Sequence, residues 1–117
     1  MRSWAACVLA RESGGTLDRP WSGAGAVNTA GSSAQGRWQL LDTAWRVNGG
    51  IHFIVARRLA AFGMPAPQVR AVREYVRRTP IYRWPAPLQD VAFIQIVTEG
   101  GAHHWAGPGC GLPEGAR

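Results

Sequence analysis

Glu12 is the residue whose setting most invites chemistry. Trp4, Val8 and Glu12 recur every four positions, so on a helix they share one face. Ser3 is placed to cap that helix, which runs from 4 to about 11 or 12, and Gly14-Gly15 to stop it. A carboxylate at such a helix end meets the negative pole of the dipole and loses water, and both effects favour its neutral form. A carboxylic acid that keeps its proton near neutral pH is a general acid. Asp18 follows six residues on, in a Gly- and Ser-rich stretch, and Asp42 is placed to cap a later helix. Neither is a convincing second carboxylate, and by position alone Glu12 reads as an ordinary solvated helix-end carboxylate or as a lone acid/base.

Other side chains suit recognition more than bond-breaking. Asn28 and Gln39 carry amides that can donate and accept hydrogen bonds to a polar ligand, although loop asparagines more often serve turns. Six tryptophans are many for 117 residues, and they divide between core packing and flat faces for a sugar ring. Trp38 and Trp105 are open to either role, and Ser13 to bonding substrate or backbone. His103-His104 lacks a completing cluster of ligands, so no metal and no cofactor is expected. Cys7 and Cys110 admit two readings: separate buried thiols, or one disulfide closing nearly the whole chain.

These residues need elements to position them. From 16 to 36 the composition turns to Gly, Ser, Ala, Asn and Pro, which predicts loops and at most short hairpins. A compact apolar run at 36–41 leads to a short helix capped by Asp42, containing Trp45 and ended by Asn48-Gly49-Gly50. Ile51, Val55, Leu59 and Phe62 mark a third helix that stops near Gly63 and Pro65. Val69, Val72 and Val76 form the apolar side of a fourth, opposite Arg70, Arg73, Arg77 and the Glu74/Arg78 pair. Residues 79–87, with three prolines, predict a stiff connector. The run at 88–98 fits a buried strand or a buried helix, and Pro87 followed by Gln89 and Asp90 tips it to helix. The tail from 100 is Gly-rich and irregular.

The length suits one domain, and the 46% apolar share is ordinary for a globular protein. All thirteen basic residues are arginine and the formal charge is +6, a field that attracts polyanions. Nucleic acid, anionic lipid and bacterial wall polymer all answer that description. The arginine face at 70–78 is more economically a solvated helix side or a contact for anionic wall polymer than a nucleic-acid surface. No stretch approaches the roughly 18–20 apolar residues that span a bilayer, and no apolar leader precedes the first helix.

Three segments, in order, resemble the lysozyme-like superfamily, in particular its resuscitation-promoting-factor and soluble lytic transglycosylase branches. Cys7-Val8-Leu9-Ala10-Arg11-Glu12-Ser13-Gly14-Gly15 is similar to the helix end that carries the catalytic glutamate, with a cysteine five positions earlier. Ala26-Val27-Asn28, then Ser32-Ser33-Ala34-Gln35-Gly36-Arg37-Trp38-Gln39-Leu40 and Asp42-Thr43-Ala44-Trp45, resemble the Gly-x-x-Gln segment lining the sugar cleft and its following helix. The apolar segment from Leu88, then Gly100-Gly101 and Trp105 leading to Cys110, resembles the last helix and Trp-Pro-x-Cys ending of resuscitation-promoting factors, with extra residues before Cys110. The resemblance covers 4–47 and 88–110. The stretch at about 51–87 has no counterpart and stands as a helical insertion.

The resemblance implies a mainly α (α+β) fold whose helices and small hairpin region form a sugar-binding cleft. It also implies a Cys7–Cys110 bridge pinning the tail to the first helix. The activity implied is cleavage of the MurNAc–GlcNAc bond of bacterial peptidoglycan, with Glu12 as acid/base and Ser13, Asn28, Trp38, Gln39 and Trp105 as substrate-binding residues. Lacking a second carboxylate, Glu12 fits a lytic transglycosylase better than a hydrolytic lysozyme. A non-catalytic wall-binding or virion structural domain is the remaining alternative. The place of action implied is the cell wall, reached by secretion or in a phage particle.

Overall fold

The computed structural model describes residues 2–28, 34–41, 50–107 and 109–113. Four helices dominate them: α1 (Arg2–Ser13), α2 (Ile51–Ala61), α3 (Ala66–Arg78) and α4 (Ala86–Thr98). Two short 3-10 turns, Ile81–Arg83 and Ala102–Trp105, precede and follow α4. Strand-like pairing among the described residues is confined to the isolated bridges Thr16 to Arg19, Val27 to Gln35 and Gln35 to Leu40. The mainly helical class with at most short hairpins therefore holds. The expected helix around Trp45 falls outside the described residues.

Helix α1 begins at Arg2, so Ser3 lies in its first turn instead of capping it. Its end matches the sequence expectation. Gly14 takes the left-handed backbone (φ 73°) that glycine adopts without a Cβ penalty, and its N–H donates to Ala10 C=O at 3.0 Å. The run at 88–98 is helical, and α4 starts two residues ahead of it. Buried Ala86, Gln89, Ala92, Phe93 and Ile96 follow a helical period that no strand could satisfy. Helices α3 and α4 each start after a proline and carry another in the first turn, where the missing N–H costs nothing. In the tail, expected to be irregular, residues 102–105 form a turn that buries Ala102 and Trp105.

Helix α2 packs against both α3 and α4. Phe93 of α4 is the hub of an aromatic core. Trp38 stacks on it with ring centroids 3.7 Å apart, Trp105 meets it edge-on at 4.8 Å, and Trp4 lies at 5.8 Å. Trp4, Val8 and Leu9 bring α1 onto this core, and Ile51, Ile54 and Val55 bring α2. Two polar residues are sealed within it: Arg37 at 1% exposure and Gln89 at 0%. Burying such groups is costly unless every donor and acceptor is matched.

Many of these groups are matched. Arg37 Nη1 donates to Ser22 C=O at 2.7 Å and Arg19 C=O at 3.1 Å, and Nε donates to Asp90 Oδ1 at 3.0 Å. Gln89 Oε1 accepts the Arg37 N–H at 2.8 Å, while Nε2 lies 3.0 Å from the Ala24, Ile81 and Trp84 carbonyls. Arg37 and Gln89 thus lock the loop at 19–24 to α4.

Candidate functional site

The C-terminal tail runs back along α1 and touches it at three places. Gly111 C=O accepts Trp4 Nε1–H at 3.0 Å, Cys110 is disulfide-bonded to Cys7, and Trp105 C=O accepts Arg11 Nη2–H at 2.6 Å. Positions 4, 7 and 11 form one stripe of a helix, and the tail lies along it in the opposite direction. The bridge that the resemblance implies is present, closing a sequence separation of 103 residues.

Glu12 lies beside this stripe at the end of α1, past the buried Trp4 and Val8, with 25% of its side chain exposed. Its Oε1 accepts two hydrogen bonds from Arg11, from Nη2 at 3.0 Å and from Nε at 3.3 Å. Sequence reasoning placed a desolvated carboxyl here and passed over Arg11. A carboxylate ion-paired and partly open to water is what the structure has instead. The same guanidinium holds Trp105 C=O, so Arg11 couples Glu12 to the tail. Its i, i+3, i+7 spacing with Trp4 and Cys7 was legible; the i, i+4 reading of the apolar face drew attention away from it.

The remaining predicted residues divide between framework and surface. Ser13 acts on the backbone: its Oγ donates to Leu9 C=O at 3.3 Å and accepts Gly15 N–H at 3.3 Å. A Cβ on Gly23 would come within 2.1 Å of that hydroxyl, so the loop carrying Gly23 sits directly on the end of α1. Trp38 and Trp105 are core residues at 2% and 4% exposure. Trp105 Nε1–H donates to Trp38 C=O at 2.8 Å, and Trp38 Nε1–H to Asp90 Oδ1 at 2.7 Å. A chain of bonds therefore runs from Glu12 through Arg11 and Trp105 to Trp38.

Next to Trp38, Gln39 is half-buried and holds a left-handed backbone (φ 52°), unusual for a residue with a side chain. It closes the turn at 36–39, where Gln35 and Leu40 exchange backbone hydrogen bonds of 3.0 and 2.8 Å. Its Nε2 donates to Gly36 C=O at 3.1 Å. Asn28 is half-buried on the partner segment, its N–H donating to Ala34 C=O at 3.2 Å. Trp21 was not singled out by sequence reasoning. It is 64% exposed, in the loop that Arg37 ties to α4 and whose Gly23 lies close to Ser13 of α1, and is the one largely exposed tryptophan among the described residues.

The other described carboxylates have different settings. Asp90 is committed to Arg37 and Trp38. Asp18 lines an open groove of about 420 Å³ with Arg2, Ala6, Ala10 and Leu17, on a different face of α1 from Glu12. Asp42 lies outside the described residues. A second cavity, about 180 Å³, is lined by Ile54, Ile96, Glu99, His103 and His104. Burial, and secondarily the neighbouring His103, push the His104 imidazole below its ordinary value. Among the described residues no group of three or more His, Cys, Asp or Glu side chains is arranged to hold a metal, and no helix is long and apolar enough to cross a membrane.

Comparison with known families, curated proteins and solved structures finds no match to this chain.

Proposed function

We propose that this protein cleaves the glycan strands of bacterial peptidoglycan as a lytic transglycosylase, with Glu12 as acid/base. The observation that carries the reading is a convergence. Glu12, Arg11, Trp38, Trp105 and both cysteines lie up to 103 positions apart in sequence, yet are joined to α1 by a chain of short bonds. The left-handed Gln39 supports it, since strained backbone is retained where the surroundings impose it, commonly beside a functional surface.

In this mechanism Glu12 gives its proton to the glycosidic oxygen, which leaves as the GlcNAc 4-hydroxyl. The muramic acetamido oxygen supports the cation developing at C1. The resulting Glu12 carboxylate then removes the proton from the same sugar's 6-hydroxyl, whose oxygen bonds to C1 and closes the 1,6-anhydro ring. Arg11 holds the Glu12 Oε1 by two hydrogen bonds. The first half requires the incoming sugar to loosen Arg11 from the carboxyl oxygen. Trp21 offers an exposed aromatic ring on which a sugar can stack, while Trp38 and Trp105 are buried in the core.

The commitment of Asp90 and the placement of Asp18 on another face of α1 favour this route over hydrolysis by a carboxylate pair. Digestion of purified peptidoglycan with mass analysis of the products tests it. Anhydro-muropeptides are expected from the parent, and Glu12→Gln should lower their release by about 100-fold or more. Reducing ends would indicate a lysozyme. A normally folded Glu12→Gln protein releasing as much product as the parent would end the proposal.

A further inference from the structure

We infer that the outer face of the α2–α3 hairpin is a docking surface for a phosphodiester-bearing wall polymer, which rests on the peptidoglycan reading above. Helix α3 turns Val69 and Val76 inward and carries four arginines against one glutamate. Arg77 and Arg78 both bond Glu74, whose carboxyl their guanidinium groups hold at about 2, so it stays ionised and neutralises one of them. Arg70 and Arg73 have no carboxylate partner among the described residues. Arg70, Arg73 and Arg77 are spaced i, i+3, i+7, which on a helix places them in one row with steps of about 4.5 and 6 Å.

The row is built to present guanidinium edges. Arg73 lies over the ring of Phe53 on α2, 5.0 Å from its centroid, and Phe53 itself is 38% exposed. A guanidinium stacked on an aromatic face keeps its in-plane N–H groups outward, the geometry that takes phosphate oxygens in pairs. The ligand chemistry is thus a flexible chain of phosphodiesters. Nucleic acid shares that chemistry, but the Cys7–Cys110 bond belongs to an oxidising compartment, where wall polymers are and cytosolic nucleic acid is not.

The test is co-sedimentation of the full chain with bacterial walls, either intact or stripped of phosphodiester polymer by hydrofluoric acid, with digestion products measured in parallel. Intact walls should retain the protein at least about tenfold more tightly, through contacts that weaken with salt. The double variant Arg70→Gln/Arg73→Gln should lose that advantage and still digest stripped walls at the parental rate. Arg70→Gln alone, at an exposed position, should lose part of it and guards against misfolding of the double variant. Soluble poly(glycerol phosphate) should compete. Equal retention on both walls, or a variant that binds like the parent, would overturn the inference, as would tighter binding to duplex DNA or anionic vesicles than to poly(glycerol phosphate). Selective retention without product would overturn the catalytic reading and leave this surface standing. Product from stripped walls without selective retention would do the reverse.

Discussion

The region around α1 and the α2–α3 hairpin solve the problem of polar side chains in opposite ways. Around α1 and α4, polar groups are turned inward or tied across long sequence separations: Arg37 to the 19–22 loop and Asp90, Gln89 to three carbonyls, Arg11 to Trp105, Cys7 to Cys110. On α3 the partners are three or four residues apart, as in Glu74 with Arg77 and Arg78, and the guanidinium groups face solvent, whereas Arg57 and Arg58 of α2 reach back to Glu99 and Gln95. The first arrangement fixes a constellation in space, which bond-breaking requires. The second leaves a charged row free to meet a partner. The difference teaches that this chain keeps its rigid polar network and its exposed charge on separate elements.

That contrast can be broken, and the largest effect should come from the bridge. Replacing Cys7 and Cys110 by serine should cost on the order of 4–5 kcal/mol in the chain-entropy view, since the loop spans 103 residues. Denaturant titration by tryptophan fluorescence would measure it. A loss below about 1 kcal/mol would mean that the tail is held by Trp4, Arg11 and Trp105 without covalent help.

Gln89→Leu should rank second, at about 2–4 kcal/mol. It leaves the Arg37 N–H and the Ala24, Ile81 and Trp84 carbonyls without their side-chain partner in a sealed core. Protection from hydrogen exchange should fall in the 19–24 loop before it falls in α2. Uniform loss across the molecule would contradict the separation drawn here.

The smallest effect sharpens the comparison from the other side. Arg70→Gln/Arg73→Gln should change folding stability by less than about 1 kcal/mol, a surface substitution that gives up one aromatic contact. A larger loss would make the hairpin's arginines structural and erase the distinction.

Much of this was legible in the sequence, for reasons that differ element by element. Helices α2 and α3 announce themselves through apolar periods, and the end of α1 through Gly14. Trp38 and Trp105 were open to cleft or core because composition does not tell which neighbours a ring will have; Phe93, between them, decides for core. Arg37 and Gln89 were missed because a buried polar residue looks like a surface one until its distant partners are known.

By itself, then, the sequence determined that α1, α2 and α3 are helical and where α1 ends. It also fixed which residue types, Glu12 and the two cysteines above all, have chemistry to offer, because periodicity, glycine conformation and side-chain reactivity are local properties. The tertiary structure decided what those groups touch: that Glu12 is bonded to Arg11, that Arg11 in turn holds the tail, and that the tail follows the 4, 7, 11 stripe of α1. Pairings across a hundred residues depend on how whole elements pack, and no short window of sequence contains that.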